Sequence, residues 1–96
     1  MAQSTWAQSE INATVTAYLG MLDSQRRGDK YNKAQINRTL RAGAVKARSR
    51  GSIEMRMCNI SAVMVKRGKP FVFGYKPLGN VGAAVTKMIE AAIATN

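Results

Sequence analysis

Apolar residues recur at intervals of three and four along most of this chain, the spacing that lays them on one face of an α-helix. Ile11, Val15, Tyr18, Leu19 and Leu22 form the first such stripe, while Asn12, Thr16 and Asp23 fall on other faces. Thr5 and Gln8 stand ahead of it at the spacing of a capping box, so a first helix is predicted over residues 6–27, closed by Gly28. Asn32 and Gln35 repeat that spacing. A thinner stripe of Ala34, Ile36, Leu40 and Ala44 then predicts a second helix that stops near Ala44, with Gly43 weakening its end. Ser49 is a good N-cap for a third helix over residues 50–67, in which Ile53, Met57, Ile60 and Met64 keep helical spacing and Val63 widens the stripe. Gly68 suits the left-handed position after a helix, and Pro70 blocks continuation.

The pattern then changes. Pro70 and Pro77 bracket Phe71, Val72, Phe73, Gly74, Tyr75 and Lys76. A three-residue apolar run is too short to make a sheet alone, so an extended or turning segment is expected, its Phe side chains packed on the helices. Asn80 is expected to cap a fourth helix carrying Val81, Val85, Met88, Ala92 and Ile93. The expected fold is all-α: a compact four-helix domain with a helix-turn-helix core and an extended, proline-framed loop before the last helix. At 96 residues the chain is sized for one core, so a single domain over residues 1–96 is expected.

Composition sharpens the functional side. The chain is 46% hydrophobic but 6% aromatic, so Ile, Val, Leu, Met and Ala must fill the core. Fifteen Lys or Arg face 5 Asp or Glu, a formal charge of +10. The excess is concentrated: Arg26, Arg27, Lys30, Lys33, Arg38, Arg41, Lys46, Arg48 and Arg50 fall in one stretch with a single acid, Asp29. Such a stretch repels itself unless a polyanion is close, which points to nucleic acid, duplex DNA before RNA, and next to an acidic protein partner. A lone Cys58 cannot form an intramolecular disulfide, the first ten residues lack a signal-peptide pattern, and no apolar run is long enough to span a membrane. A cytoplasmic protein without a membrane partner is expected.

Catalytic chemistry has little to start from. There is no histidine, the commonest general base and metal ligand, and the acids are scattered without a close pair. Gly79 and Gly82 lack the lysine and serine of a phosphate loop. Neither enzyme activity nor a cofactor or metal is expected.

The informative stretch is Arg48-Ser49-Arg50-Gly51-Ser52-Ile53-Glu54-Met55-Arg56, three arginines and two serines across the start of one helix. Free amides and the helix dipole attract phosphate there, and arginine grips phosphate or the guanine edge. Two helices joined by a short turn, here residues 45–49, also form a helix-turn-helix. The candidate nucleic-acid contacts are Arg48, Ser49, Arg50, Ser52 and Arg56, with Lys46 in the turn and Lys33, Arg38 and Arg41 on the second helix. Tyr75 and Lys76 join them from the proline-framed loop, where the tyrosine either stacks on a base or packs on the first helix. The competing reading, a basic module or inhibitor docking on an acidic protein, calls for an exposed apolar patch around Phe71, Val72, Phe73 and Tyr75.

Several of these segments carry a family resemblance: Asn59-Ile60-Ser61-Ala62-Val63, Gly68-Lys69-Pro70, Gly74-Tyr75-Lys76-Pro77 and, upstream, Tyr31-Asn32-Lys33-Ala34. Over residues 6–80 the chain resembles the N-terminal module found ahead of HNH nuclease domains in bacterial restriction-type proteins, including McrA-type relatives. Trp6 and the stretch Arg48-Ser49-Arg50-Gly51-Ser52-Ile53 also resemble a Myb- or SANT-type helical DNA reader. The resemblance implies DNA binding or target recognition in a restriction, defence or phage-related system, through Arg48, Arg50, Ser52 and Arg56. Where family members carry Phe-Lys-His-Gln, this chain has Met55-Arg56-Met57-Cys58, which keeps a charge at Arg56. The nuclease activity of longer relatives is not expected of these residues.

Overall fold

The computed structural model describes residues 5–96. The chain folds into four helices, α1 (Gln8–Arg27), α2 (Lys33–Ala42), α3 (Arg50–Lys66) and α4 (Ala83–Ala94), with no strand among the described residues. The expected all-α, four-helix class is therefore found. None of these helices is long and apolar enough to cross a membrane.

Local hydrogen bonds explain two of the helix starts as expected. The Asn32 Oδ1 accepts from the Gln35 amide at 3.0 Å, and the Ser49 Oγ accepts from the Ser52 amide at 3.1 Å. The other two differ from expectation. The α1 N-cap is Ala7, whose amide donates to Glu10 Oε1 at 2.8 Å, so the Thr5–Gln8 capping box does not form. Trp6 is buried from the extended segment ahead of the helix, and Glu10 is held by Arg48, which together set the first turn two residues later. At α4 the cap is Gly82 rather than Asn80; its φ of 86° is a conformation that favours glycine, so the helix begins only at Ala83.

α1 and α3 each pack against the other three helices. The buried residues of α3, Ile53, Met57, Asn59, Ile60, Ser61, Val63 and Met64, cover more than a single stripe because neighbours enclose it on several sides. α1 contributes Ile11, Val15, Tyr18, Met21 and Leu22, and α4 contributes Ile89 and Ala92. Ile89 is fully buried while Val85, Met88 and Ile93 are half-buried, so the inner face of α4 is centred between the expected stripe positions.

Residues 69–80 form a strap across the bundle. Gln25 of α1 serves as its hydrogen-bonding partner, donating to the Phe71 carbonyl at 3.0 Å and accepting from the Phe73 amide at 2.8 Å. Between them the Val72 amide donates to the Tyr18 hydroxyl at 2.9 Å, and that hydroxyl also bonds Ser61 Oγ at 2.7 Å. Extended segments send alternate side chains to opposite sides, so burying Val72 turns Phe73 outward, while Phe71 still packs in part on the core. The expectation that both Phe side chains pack on the helices fails at Phe73, which is 68% exposed, while Phe71 is half-buried.

Candidate nucleic-acid interface

The link between α2 and α3 spans residues 43–49, longer than the expected turn, and is a series of tight turns anchored by fully buried Val45. Beyond it the body of α3 lies inside the bundle. The part of this helix that faces solvent most openly around its start is Arg50, Gly51, Ser52, Glu54 and Met55. α3 therefore cannot lie lengthwise in a groove, and its first two turns are what it can present. Two recesses flank those turns: Arg50, Glu54 and Cys58, four residues apart, run along one side, and Ser52 and Arg56 run along another.

The first recess, about 510 Å³, is built around Trp6, Arg48, Ser52, Met55 and Arg56. Arg48 donates to both carboxylate oxygens of Glu10, Nε to Oε2 at 2.9 Å and Nη2 to Oε1 at 2.8 Å, and Nη2 also reaches the Thr5 carbonyl at 2.9 Å. The two side chains are only 9% and 12% exposed. The hydrogen bond from Arg48 is the main reason that the Glu10 carboxyl lies below its ordinary pKa. The Arg48 guanidinium lies 5.0 Å from the centre of the Trp6 ring and that of Arg56 lies 4.8 Å from it. Arg56 Nη1 donates to Asn59 Oδ1 at 2.9 Å, while its Nε is buried with no hydrogen-bond partner among the described residues. Burial, and then the like charge of Arg48, hold Arg56 below its ordinary pKa. Two of the arginines expected at the interface thus brace Trp6 and the start of α1.

The second recess, about 420 Å³, brings together Lys33, Arg50 and Tyr75 with Glu54, Cys58 and Gly74. The Lys33 ammonium donates to the Phe73 carbonyl and lies 5.0 Å from the centre of the Tyr75 ring. Gly74 has φ of 92°, a conformation that favours glycine, and a Cβ there would meet only Lys33 Nζ and Cε, the far end of a flexible side chain that can move aside. Tyr75 is 6% exposed and tilted against Tyr18 with centroids 6.4 Å apart. Its ring is packed in the core, which takes away the expected stacking platform. Burial first, and then the nearby Glu54 charge, push its hydroxyl up to about 12. Burial and Glu54 also raise the Cys58 thiol, away from the reactive thiolate. Neither Glu54 nor Cys58 is among the contacts expected from the sequence, although successive spacings of four from Arg50 place all three on one helical face.

α2 supplies the rest. Arg38 Nη1 donates to Gln35 Oε1 at 2.9 Å, and Arg41 Nε donates to Asn37 Oδ1 at 2.8 Å. Buried Asn37 in turn donates to the Arg50 carbonyl at 3.3 Å, which ties Arg41 to the start of α3. Lys46, Ser49, Arg50, Ser52 and Lys76 are exposed; Ser49, besides capping α3, donates to Ser52 Oγ at 3.0 Å. Asp23 and Asp29 both pair with Arg27, Glu10 pairs with Arg48, and Glu54 meets Arg50 at 3.4 Å. The ion pairs among the described residues thus leave Lys33, Arg38, Arg41 and Lys46 without a carboxylate partner.

Of the apolar patch that a protein partner would call for, Val72 and Tyr75 are buried, Phe71 is half-buried and Phe73 is exposed. No protein-family model, curated protein or solved structure matches this chain. Functional assignment therefore rests on its own charge and geometry.

Proposed function

We propose that this domain is a binding module for duplex DNA, with no catalytic role of its own, that engages the duplex through α2, the link at Lys46 and the first two turns of α3. The observation that carries the reading is the grouping of cations on α2, in the link and at the start of α3. Three of the five acids pair with Arg27 or Arg48 and Glu54 meets Arg50 only loosely, while Arg38, Arg41 and Lys46, beside the start of α3, have no carboxylate partner among the described residues. Arg50 is held next to Arg41 through Asn37. Cations kept without carboxylates in this way repel one another and are relieved by phosphates. The dipole at the start of α3 acts in the same direction. A bacterial restriction, defence or phage-related setting in the cytoplasm is part of the same proposal.

Fluorescence anisotropy across a salt series tests it. With roughly five phosphate contacts, log affinity for duplex DNA should fall with log salt at a slope of about −4.5. Parallel titrations with single-stranded DNA and RNA should give weaker binding. Absence of duplex binding at low salt, or a slope near zero, overturns the reading.

A further inference from the structure

Within that DNA-binding reading, on which this inference rests, we propose that Arg50 and Glu54 together read a G·C base pair in the major groove. Arg50 donates to O6 and N7 of the guanine, and Glu54 accepts from the N4 amino group of the cytosine.

A carboxylate amid cations that face a polyanion weakens binding unless it meets a donor. Glu54 stands in that position, on the second turn of α3 at the edge of the recess shared with Lys33 and Arg50. The fold does not need its pairing with Arg50. The two side chains are 63% and 50% exposed, and their separation of 3.4 Å is longer than a good charge-assisted hydrogen bond. An exposed pair of this kind contributes little to stability and exchanges readily for better partners. Arg50 is positioned by its backbone, through Asn37, so its guanidinium is available without disturbing the helix.

The body of α3 narrows the choice further. Met57, Asn59, Ile60 and Ser61 are buried, so the first two turns must supply any direct contact to base edges. There, Ser49 and Ser52 are bonded to each other. Arg50 and Glu54 remain as the long polar side chains. An ionised carboxylate only accepts hydrogen bonds. Among major-groove donors, the adenine amino group lies beside the N7 acceptor, which repels a carboxylate, whereas cytosine N4 has no adjacent acceptor on that edge. The guanine opposite that cytosine offers the paired acceptors that arginine fits.

Equal-length duplexes built of G·C, inosine·C or A·T pairs test this by anisotropy at fixed salt. Inosine·C presents the same major-groove edge as G·C but lacks the minor-groove amino group. The protein should bind G·C and inosine·C duplexes alike, each about tenfold more tightly than A·T. Glu54→Ala should narrow the preference to the part that Arg50 alone supplies, Arg50→Ala with Glu54→Ala should level the three affinities, and Glu54→Gln should narrow it further than Glu54→Ala, because glutamine pairs with adenine N6 and N7. Circular dichroism verifies that these variants keep their helicity. Equal wild-type affinity for all three duplexes overturns the inference, as does inosine·C behaving like A·T. So does a uniform strengthening by Glu54→Ala, the result of removing a merely repulsive charge. Those outcomes leave DNA binding intact; failure of the wild type to bind any duplex would remove that reading as well.

Discussion

The two sides of the α3 N-terminus carry the same residue type and use it in opposite ways. On the Trp6 side, Arg48 and Arg56 lie over an aromatic ring, with Arg48 locked to a nearly buried carboxylate. On the α2 side, Arg38, Arg41 and Arg50 are held by neutral amides or one loose, exposed ion pair. What separates them is desolvation. A guanidinium removed from water must keep its internal partners, whereas one at the surface can exchange them for phosphate or base at little cost. Basic residues on the first side should therefore govern stability, and those on the second affinity.

The sharpest way to break this contrast is Trp6→Ala. Truncating a buried aromatic costs about 3–5 kcal/mol, so its Tm should fall by roughly 10 °C or more, while the salt slope of DNA binding, measured below that Tm, stays unchanged. A lowered slope would show that this side also touches phosphate.

Arg48→Met should come next. It leaves the Glu10 carboxylate poorly partnered and should lower the urea midpoint by less than Trp6→Ala does, again without a change in salt slope. The double variant Arg38→Ala, Arg41→Ala should do the reverse. Its unfolding midpoint should move by less than about 1 kcal/mol, while the slope becomes shallower by about 2. Equal slopes for variant and wild type would detach α2 from the interface.

The smallest expected effect is in acid. Glu10 has a folded pKa below its unfolded one, so its contribution is fully present above the ordinary carboxylate range and is lost as pH falls through the folded value. Stability between about pH 5 and pH 3 should fall less steeply in Glu10→Gln than in wild type, as measured by thermal unfolding. Parallel curves would mean that the pair with Arg48 has no thermodynamic consequence.

Much of this fold was legible locally. The caps at Asn32 and Ser49 are contacts over three residues, and the stripes of α1 and α3 recur within single turns, so spacing alone located those helices. The misplaced starts of α1 and α4 show where that logic ends. Thr5 had the right chemistry for a cap, but Trp6 was drawn into the core and Glu10 to Arg48. Asn80 likewise gave way to Gly82, whose backbone conformation set the start of α4.

The candidate site divides in the same manner. The sequence by itself determined that cations crowd the middle of the chain and that a helix begins after Ser49. Tertiary structure decided which of those cations are spent on the fold, because the partner of Arg48 lies 38 residues away and that of Lys33 lies 40 residues away. It also buried Tyr75, through a strap fixed by Tyr18 and Gln25. Hydrogen bonds within one turn follow from spacing along the chain, but the loss of water around a charge depends on what the rest of the chain packs against it.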